Sequence, residues 1–280
     1  MAPLTPLIIR LNPLDASSSC RHHWYRKSEY LRTCMKFSIP LLPIISLMLL
    51  ASCEPKPVSQ LSADDGINRI RSQHKDRKWE QVIQDVNEYK SRYPYTKYAA
   101  EADLLQGDSY FNSKRYPEAT IQYEEFLKRN PSHAKASFAA FRVAQSQDNM
   151  SPVQVDREQG YALNAREHYR RFLEKFPKDD KEALARERIK ILSIRLAEHT
   201  LFVARFYKKK SIFSGALHRY KLVLQDPTLP EAILNEARLG ASQAYEALAT
   251  ALEKDPKSDK NIEFLNRTPE ELRSLSKQKP

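Results

Sequence analysis

The chain has 280 residues and carries 46 Lys+Arg against 35 Asp+Glu, a net charge of +11. With 41% hydrophobic and 29% charged residues it is neither a disordered acidic chain nor a multi-span membrane protein. Only 5 residues are Gly, which argues against sandwiches, barrels and phosphate-cradling loops, where Gly supplies φ > 0 or close backbone approach. The same count argues for an all-α chain. The three cysteines, Cys20, Cys34 and Cys53, are too few and too scattered for a disulfide framework or a zinc site.

Residues 1–34 hold His22, His23, Trp24 and mixed charges, an odd leader before an apolar stretch, and read as an extension upstream of a start at Met35. Residues 37–50 (FSIPLLPIISLMLL) follow Lys36 and are sharply apolar, yet shorter than the roughly 20 residues a spanning helix needs. Together 35–52 read as a secretory signal. The signal ends Leu50-Ala51-Ser52-Cys53, which resembles the bacterial lipobox. That resemblance implies lipidation of Cys53, cleavage before it and acylation of the new amine; several acyl chains hold firmly where one is marginal. Glu54 in place of Asp favours the outer membrane. Residues 53–280 carry 40 Lys+Arg and 33 Asp+Glu, a net of +7, and no cysteine beyond Cys53, as suits an exported chain. Residues 53–62, with Pro55 and Pro57, read as a tether.

The segment 63–255 is a repeat. Residues 79–94, 116–131, 162–177 and 213–228 share one pattern counted back from their ends. Position −5 is Tyr89, Phe126, Phe172 and Val223; −8 is Val86, Tyr123, Tyr169 and Tyr220; −12 is Val82, Ala119, Ala165 and Ala216. These offsets lie on one helix face. Pro94, Pro131, Pro177 and Pro227 stop the helices, since proline lacks an N–H and disfavours helix in the residue before it. Partner helices with the same periodicity lie between, one reaching Tyr110 and Phe111, another holding Phe138, Phe141 and Val143. Helix pairs at a near-constant period predict an α-solenoid of about five tetratricopeptide-like (TPR-like) pairs, each burying its apolar face on its neighbours.

The period exceeds the usual length in two places. Residues 148–159 read as a polar, Pro-containing loop. Residues 181–209 read as one long helix with a stripe of Ala185, Ile189, Leu192, Leu196, His199, Val203 and Phe206. A fifth unit is expected over 230–252, with Leu239, Ala244, Tyr245 and Leu248, and the charged tail 256–280 holds a short helix over 266–275.

Catalytic and ligand motifs are missing: no GxGxxG, GxxxxGK[ST], HExxH or CxxC. His74, His133, His168, His199 and His218 have no metal-ligand spacing, so no metal, no cofactor and no enzymatic activity are expected. His199, on the long stripe, reads as a hydrogen-bonded core histidine. The basic balance, with Lys208-Lys209-Lys210 and Arg186, Arg188 and Lys190, looks like a nucleic-acid footprint. Export argues against that and for solvated faces that suit an acidic partner or anionic lipid. Arg195, between Ile194 and Leu196, leaves two readings open: pairing with a carboxylate inside the stack, or a cation offered to a partner.

The lipobox, the tether and the helix pairs together resemble the BamD (ComL/YfiO) family of outer-membrane assembly lipoproteins. The closest stretches are 116–131 (YPEATIQYEEFLKRNP), 156–159 (DREQ), Arg195-Leu196-Ala197 leading to 203–207 (VARFY), Gly215-Ala216, Arg219-Tyr220 and the helix end at 224–227. The third unit departs from the pattern, with ASFAAFRVAQSQ in its first helix. The resemblance implies a scaffold on the periplasmic face of the outer membrane. Its partners would be the barrel-forming (BamA-like) subunit, other assembly lipoproteins and unfolded barrel proteins. By position it places Arg195, Lys208 and Lys209 in the partner-docking half, and Tyr110, Phe111, Tyr116 and Tyr123 in the substrate groove. Other uses of such a scaffold are a pilotin for secretin or pilus subunits and a cell-wall or division coordinator.

Overall fold

The computed structural model describes residues 56–255 and 269–277. Cys53, the apolar segment 35–52 and the upstream stretch 1–34 lie outside the described residues. Within them the chain alternates helix and turn: α1 (Ala63–Lys75), α2 (Trp79–Arg92), α3 (Ala99–Asn112), α4 (Tyr116–Arg129), α5 (Ala136–Met150), α6 (Gly160–Lys175), α7 (Glu182–Lys209), α8 (Phe213–Leu224), α9 (Glu231–Lys254) and α10 (Pro269–Lys277). A 3-10 turn, Val58–Gln60, precedes α1. The fold is the all-α helical repeat expected, with the first four pairs α1/α2, α3/α4, α5/α6 and α7/α8, and α9 opening a fifth.

The repeat positions form the core. Tyr89, Phe126, Phe172 and Val223 are at most 3% exposed. Val86, Tyr123, Tyr169 and Tyr220 are at most 1% exposed, and Val82, Ala119, Ala165 and Ala216 are fully buried. Each large side chain removed from water contributes roughly 1.5–3 kcal/mol.

The core is four linked clusters, and the first helix of each later pair serves two of them. Ala102 of α3 packs with α1 and α2 while Leu104 packs with α4. Ala139 and Val143 of α5 pack with α4 while Phe141 and Ala144 pack with α6. In α7, Ala185 and Leu192 join the α5–α6 cluster, and Ala197, Leu201 and Ala204 join the cluster of α8 and α9.

This handover corrects the expected stripe of the long helix. Its buried positions move from the 185/192 line to the 197/201/204 line, and Phe206 stands 51% exposed. Two successive partners on different sides require two faces, which one continuous periodicity cannot describe. Leu239 of α9, expected inside, is 61% exposed. The neighbouring positions Ala237, Gly240, Ala241, Ala244 and Leu248 turn inward instead.

Residues 58–62, read as part of the tether, pack on the body. Val58 is fully buried against the α1–α2 cluster, Ser59 N–H donates to Glu88 Oε1 at 3.1 Å, and the Tyr93 hydroxyl donates to Leu61 O at 2.6 Å. One buried Val and two hydrogen bonds dock residues 58–62 on the body. In the tail, α10 begins at Pro269, and Arg273 pairs with Glu253 at 2.6 Å and Glu246 at 3.2 Å across to α9.

Candidate functional site

Two regions hold the sequence-derived candidates. The first lies along α3, α4 and α5. Phe111, near the end of α3, meets Tyr116 of α4 edge-on, with ring centroids 5.5 Å apart. Arg142 of α5 lays its guanidinium 4.2 Å from the Phe111 centroid and 5.1 Å from that of Phe138. Its Nη1 donates to Gln145 Oε1 at 2.7 Å, and its Nε is buried with no acceptor. A cavity of about 200 Å³ beside it is lined by Glu101, Leu104, Leu105, Asp108, Lys135 and Phe138. Toward α1, Arg71 forms two hydrogen bonds to Glu101 at 2.7 and 2.5 Å over the Tyr98 ring. That hydrogen bond holds the Glu101 carboxyl below its ordinary pKa.

Phe111, Tyr116, Phe138 and Arg142 therefore form one aromatic–cation cluster. Tyr110 points elsewhere: its ring sits under Arg115 at 4.9 Å, and Arg115 pairs with Glu118 at 3.0 Å and Glu80 at 3.3 Å. Tyr123 is not groove lining. It is fully buried, its hydroxyl donates to Asp108 Oδ1 at 2.5 Å, and burial pushes its pKa far above the tyrosine range. The reason is its place at −8, the position that faces the first helix of its own pair. Arg142 was legible only as a charge between Phe141 and Val143; which rings it covers depends on the neighbouring pair.

The second region is α7 and the segment that follows α5. Asp148, expected in a loop, closes the last turn of α5 and is 8% exposed. Its carboxylate accepts two hydrogen bonds from Arg188 at 2.7 and 2.8 Å and one from the Tyr169 hydroxyl at 3.3 Å. Arg188 is thus a structural cation and not part of a solvated footprint, and Arg186 pairs with Glu182 at 2.9 Å. Seven residues on from Arg188, Arg195 donates from Nη1 to Ser151 Oγ at 2.8 Å. Four further on, His199 Nδ1 meets Val155 O at 2.6 Å. Spacings of seven and four keep the three side chains on one face of α7. That face straps down the segment between α5 and α6.

Of the two readings left open for Arg195, the carboxylate pair inside the stack is not the one found. Arg195 is half-buried, its partner is a hydroxyl, and among the described residues it makes no ion pair. Lys208 is 13 residues further along, roughly 20 Å of helix. It turns to α9, where its Nζ donates to Gln243 Oε1 at 2.7 Å. Lys209 is exposed. The structure does not gather Arg195, Lys208 and Lys209 into one patch.

Buried ionic ties hold the first pairs in register. Asp103 of α3, 3% exposed, receives Lys90 of α2 at 2.6 Å, Arg129 of α4 at 3.2 Å and the Gln122 amide at 3.2 Å. Among the described residues no three His, Cys, Asp or Glu side chains converge as for a metal, and no helix is long and apolar enough to cross a membrane.

Comparison with known proteins adds a family. Residues 68–260 match YfiO, described as an outer membrane lipoprotein. The matched span runs from α1 past the end of α9. Among curated proteins the chain is 22% identical over 187 residues to the outer membrane protein assembly factor BamD of Vibrio cholerae, covering 63% of this chain and 78% of that protein. It is 21% identical over 150 residues to BamD of Rickettsia prowazekii, covering 54% of this chain and 59% of that one. The repeat core, the strapped segment and the long seventh helix all fall inside the matched span, and the chain belongs to the YfiO family of outer membrane lipoproteins.

Proposed function

We propose that this chain is a scaffold for outer-membrane protein assembly, held by a lipid on Cys53 at the periplasmic face of the outer membrane and working without catalysis. The observation that carries this reading is that the family match, 68–260, runs from within α1 past the end of α9 and so takes in nearly all of the helical repeat. Two relatives named as outer membrane protein assembly factors support it. A lipid anchor would confine the scaffold to the membrane surface and raise its effective concentration near a membrane-bound partner.

Within this reading the two regions divide the work. The Phe111–Tyr116–Phe138–Arg142 cluster receives unfolded barrel segments: rings give apolar contact to alternate side chains, and Arg142 brings a positive charge. The α7 region, with Arg195 and Lys209 on its surface, docks the periplasmic part of the barrel-forming subunit and other assembly lipoproteins. No nucleic acid is involved.

Depletion in the native cell tests the whole reading: many outer-membrane barrel proteins should fall together, and an unchanged barrel complement would overturn it. Mass spectrometry of the purified protein should find a triacylated Cys53 at the N-terminus. A photo-crosslinking residue at Phe111 should capture unfolded barrel chains, whereas one at Leu239, exposed on α9, should not. Arg195→Glu with Lys209→Glu should reduce recovery of the barrel-forming subunit from detergent extracts while leaving the melting temperature within a few degrees.

A further inference from the structure

A further cavity belongs to neither region. It holds about 910 Å³ between α6, α7 and α8. Its α7 residues, Arg186, Ile189, Lys190 and Ile194, recur at 3- and 4-residue spacing, half a turn round the helix from the strapping face of Arg188, Arg195 and His199. From α6 come Arg166 and Arg170, one turn apart, and from α8 comes Leu222, 39% exposed. The wall is thus four cations above an apolar floor. Its one carboxylate, Asp226, already accepts from Thr228 N–H and Oγ at 3.1 and 2.5 Å.

The cations are poorly compensated. Arg166 is half-buried, with its side chain 19% exposed. Its Nε is buried without a hydrogen-bond acceptor, and Glu167 at 3.8 Å is too far to supply one. Burial, then the neighbouring Arg170, lowers its pKa, with Glu167 and Asp226 acting in the opposite sense. Among the described residues Arg170 and Arg186 pair only with carboxylates one turn away on their own helices, Glu167 and Glu182. Such exposed pairs are worth about 0–1 kcal/mol and yield readily to a better anion. Among the described residues Lys190 has no carboxylate within ion-pair distance. Four cations facing one carboxylate that is already engaged call for an anionic group from outside. The apolar floor calls for hydrocarbon beside it. The volume is that of a pocket for a few side chains, far larger than one phosphate.

We infer that this cavity is a docking site for an acidic, extended or helical segment of a partner protein, its apolar side chains seated on Ile189, Ile194 and Leu222 and its carboxylates on Arg166, Arg170 and Lys190. A recess among three helices suits a chain segment better than a lipid surface, whose headgroups lie in a plane. The inference concerns a surface opposite the strapping face and stands apart from the assembly role.

The probe is a fluorescein-labelled peptide of three Leu separated by Glu-Asp pairs, titrated against the purified full chain in detergent. Arg170→Glu with Lys190→Glu, both at exposed positions, should raise its Kd by at least about tenfold, because the rim charges turn from attractive to repulsive. Lys75→Glu with Lys128→Glu makes the same change of net charge on exposed positions of α1 and α4 and should leave the Kd within about twofold. Melting curves of both variants confirm that they fold; if the first does not, Arg170→Gln with Lys190→Gln replaces it, with the same direction expected. Equal weakening by the two pairs would reduce the effect to net charge and overturn the site. So would absence of peptide binding, or capture by phosphatidylglycerol vesicles that the peptide cannot compete away and that reversal of the cavity charges abolishes.

Discussion

Gly107 shows how one missing methyl sets a helix spacing. A Cβ built there would lie 2.8 Å from the Tyr123 ring, closer than real contacts allow. Tyr123 cannot retreat, since it is fully buried and its hydroxyl is bound to Asp108. Gly in a helix interior costs roughly 0.5–1 kcal/mol relative to Ala, whereas overpacking a core costs roughly 1–3. Gly107→Ala should therefore lose about 1–2 kcal/mol in a urea titration. Gly160→Ala is the counterpart: the nearest group is a Glu158 oxygen at 3.4 Å, and stability should hold or rise. His168 gives a pH term at the same scale. Burial lowers its pKa from the ordinary 6.5, opposed by Glu124 and Glu167 and aided by Arg171. With the folded pKa below the unfolded one, the unfolded chain binds the proton first. Stability from this residue is full above pH 6.5 and is lost as the pH falls from there toward the folded value. Melting temperature followed from pH 7.5 to 5 should drop less steeply in His168→Gln than in the parent; identical slopes would show that the imidazole carries none of the loss.

Turns between paired helices expose what the sequence hides at the next scale. Arg77, Lys114 and Ser211 have φ of 59°, 63° and 59°, two residues before α2, α4 and α8. Each closes the same double hydrogen bond: at α3, Lys114 N–H reaches Phe111 O at 3.0 Å and Arg115 N–H reaches Tyr110 O at 2.9 Å. This is the Schellman arrangement, normally built on Gly, and here it carries side chains. The helices were legible because apolar spacing and a terminal proline fix them locally. The turns were not, because without Gly nothing in the letters marks a left-handed residue. Lys114 is exposed, so its replacement by Gly removes strain and no contact; Lys114→Gly should stabilise by about 0.5–1 kcal/mol, and Lys114→Val should destabilise. The segment after α5 reads correctly as a loop over 151–159, but what holds it was hidden for a related reason. Asp148, Ser151 and Val155 look like loop residues until Arg188, Arg195 and His199 arrive from 40 to 44 positions away. Arg188→Met should leave Asp148 with only the Tyr169 hydroxyl, cost about 1–3 kcal/mol, and speed proteolysis within 151–159.

Across the whole molecule the clusters form a line, each joined to the next by a shared helix, so stability should be transmitted between neighbours and not spread globally. The aromatic steps of that line were readable from −5, −8 and −12. The groove cluster was only half readable, because Arg142 reaches Phe111 across the boundary between pairs, where no local period operates. The last links depend most on α9. Leu201, Leu217, Tyr220 and Val223 pack in one cluster with Leu234, Ala237, Ala244 and Leu248, and Gly240 lets the Tyr220 ring lie where a Cβ would be 2.4 Å away. Ending the chain at residue 230 removes that wall and bares the second half of α7 and all of α8. The first half of α7 keeps its own core, since Ala185 and Leu192 pack with Phe141, Tyr169 and Phe172. The truncated chain should then show fast amide exchange over 197–224 with near-parental protection over 63–175. Loss of protection from end to end would mean that the line folds as one cooperative block, and that α7 is a rigid strut instead of a junction between two separately stable halves.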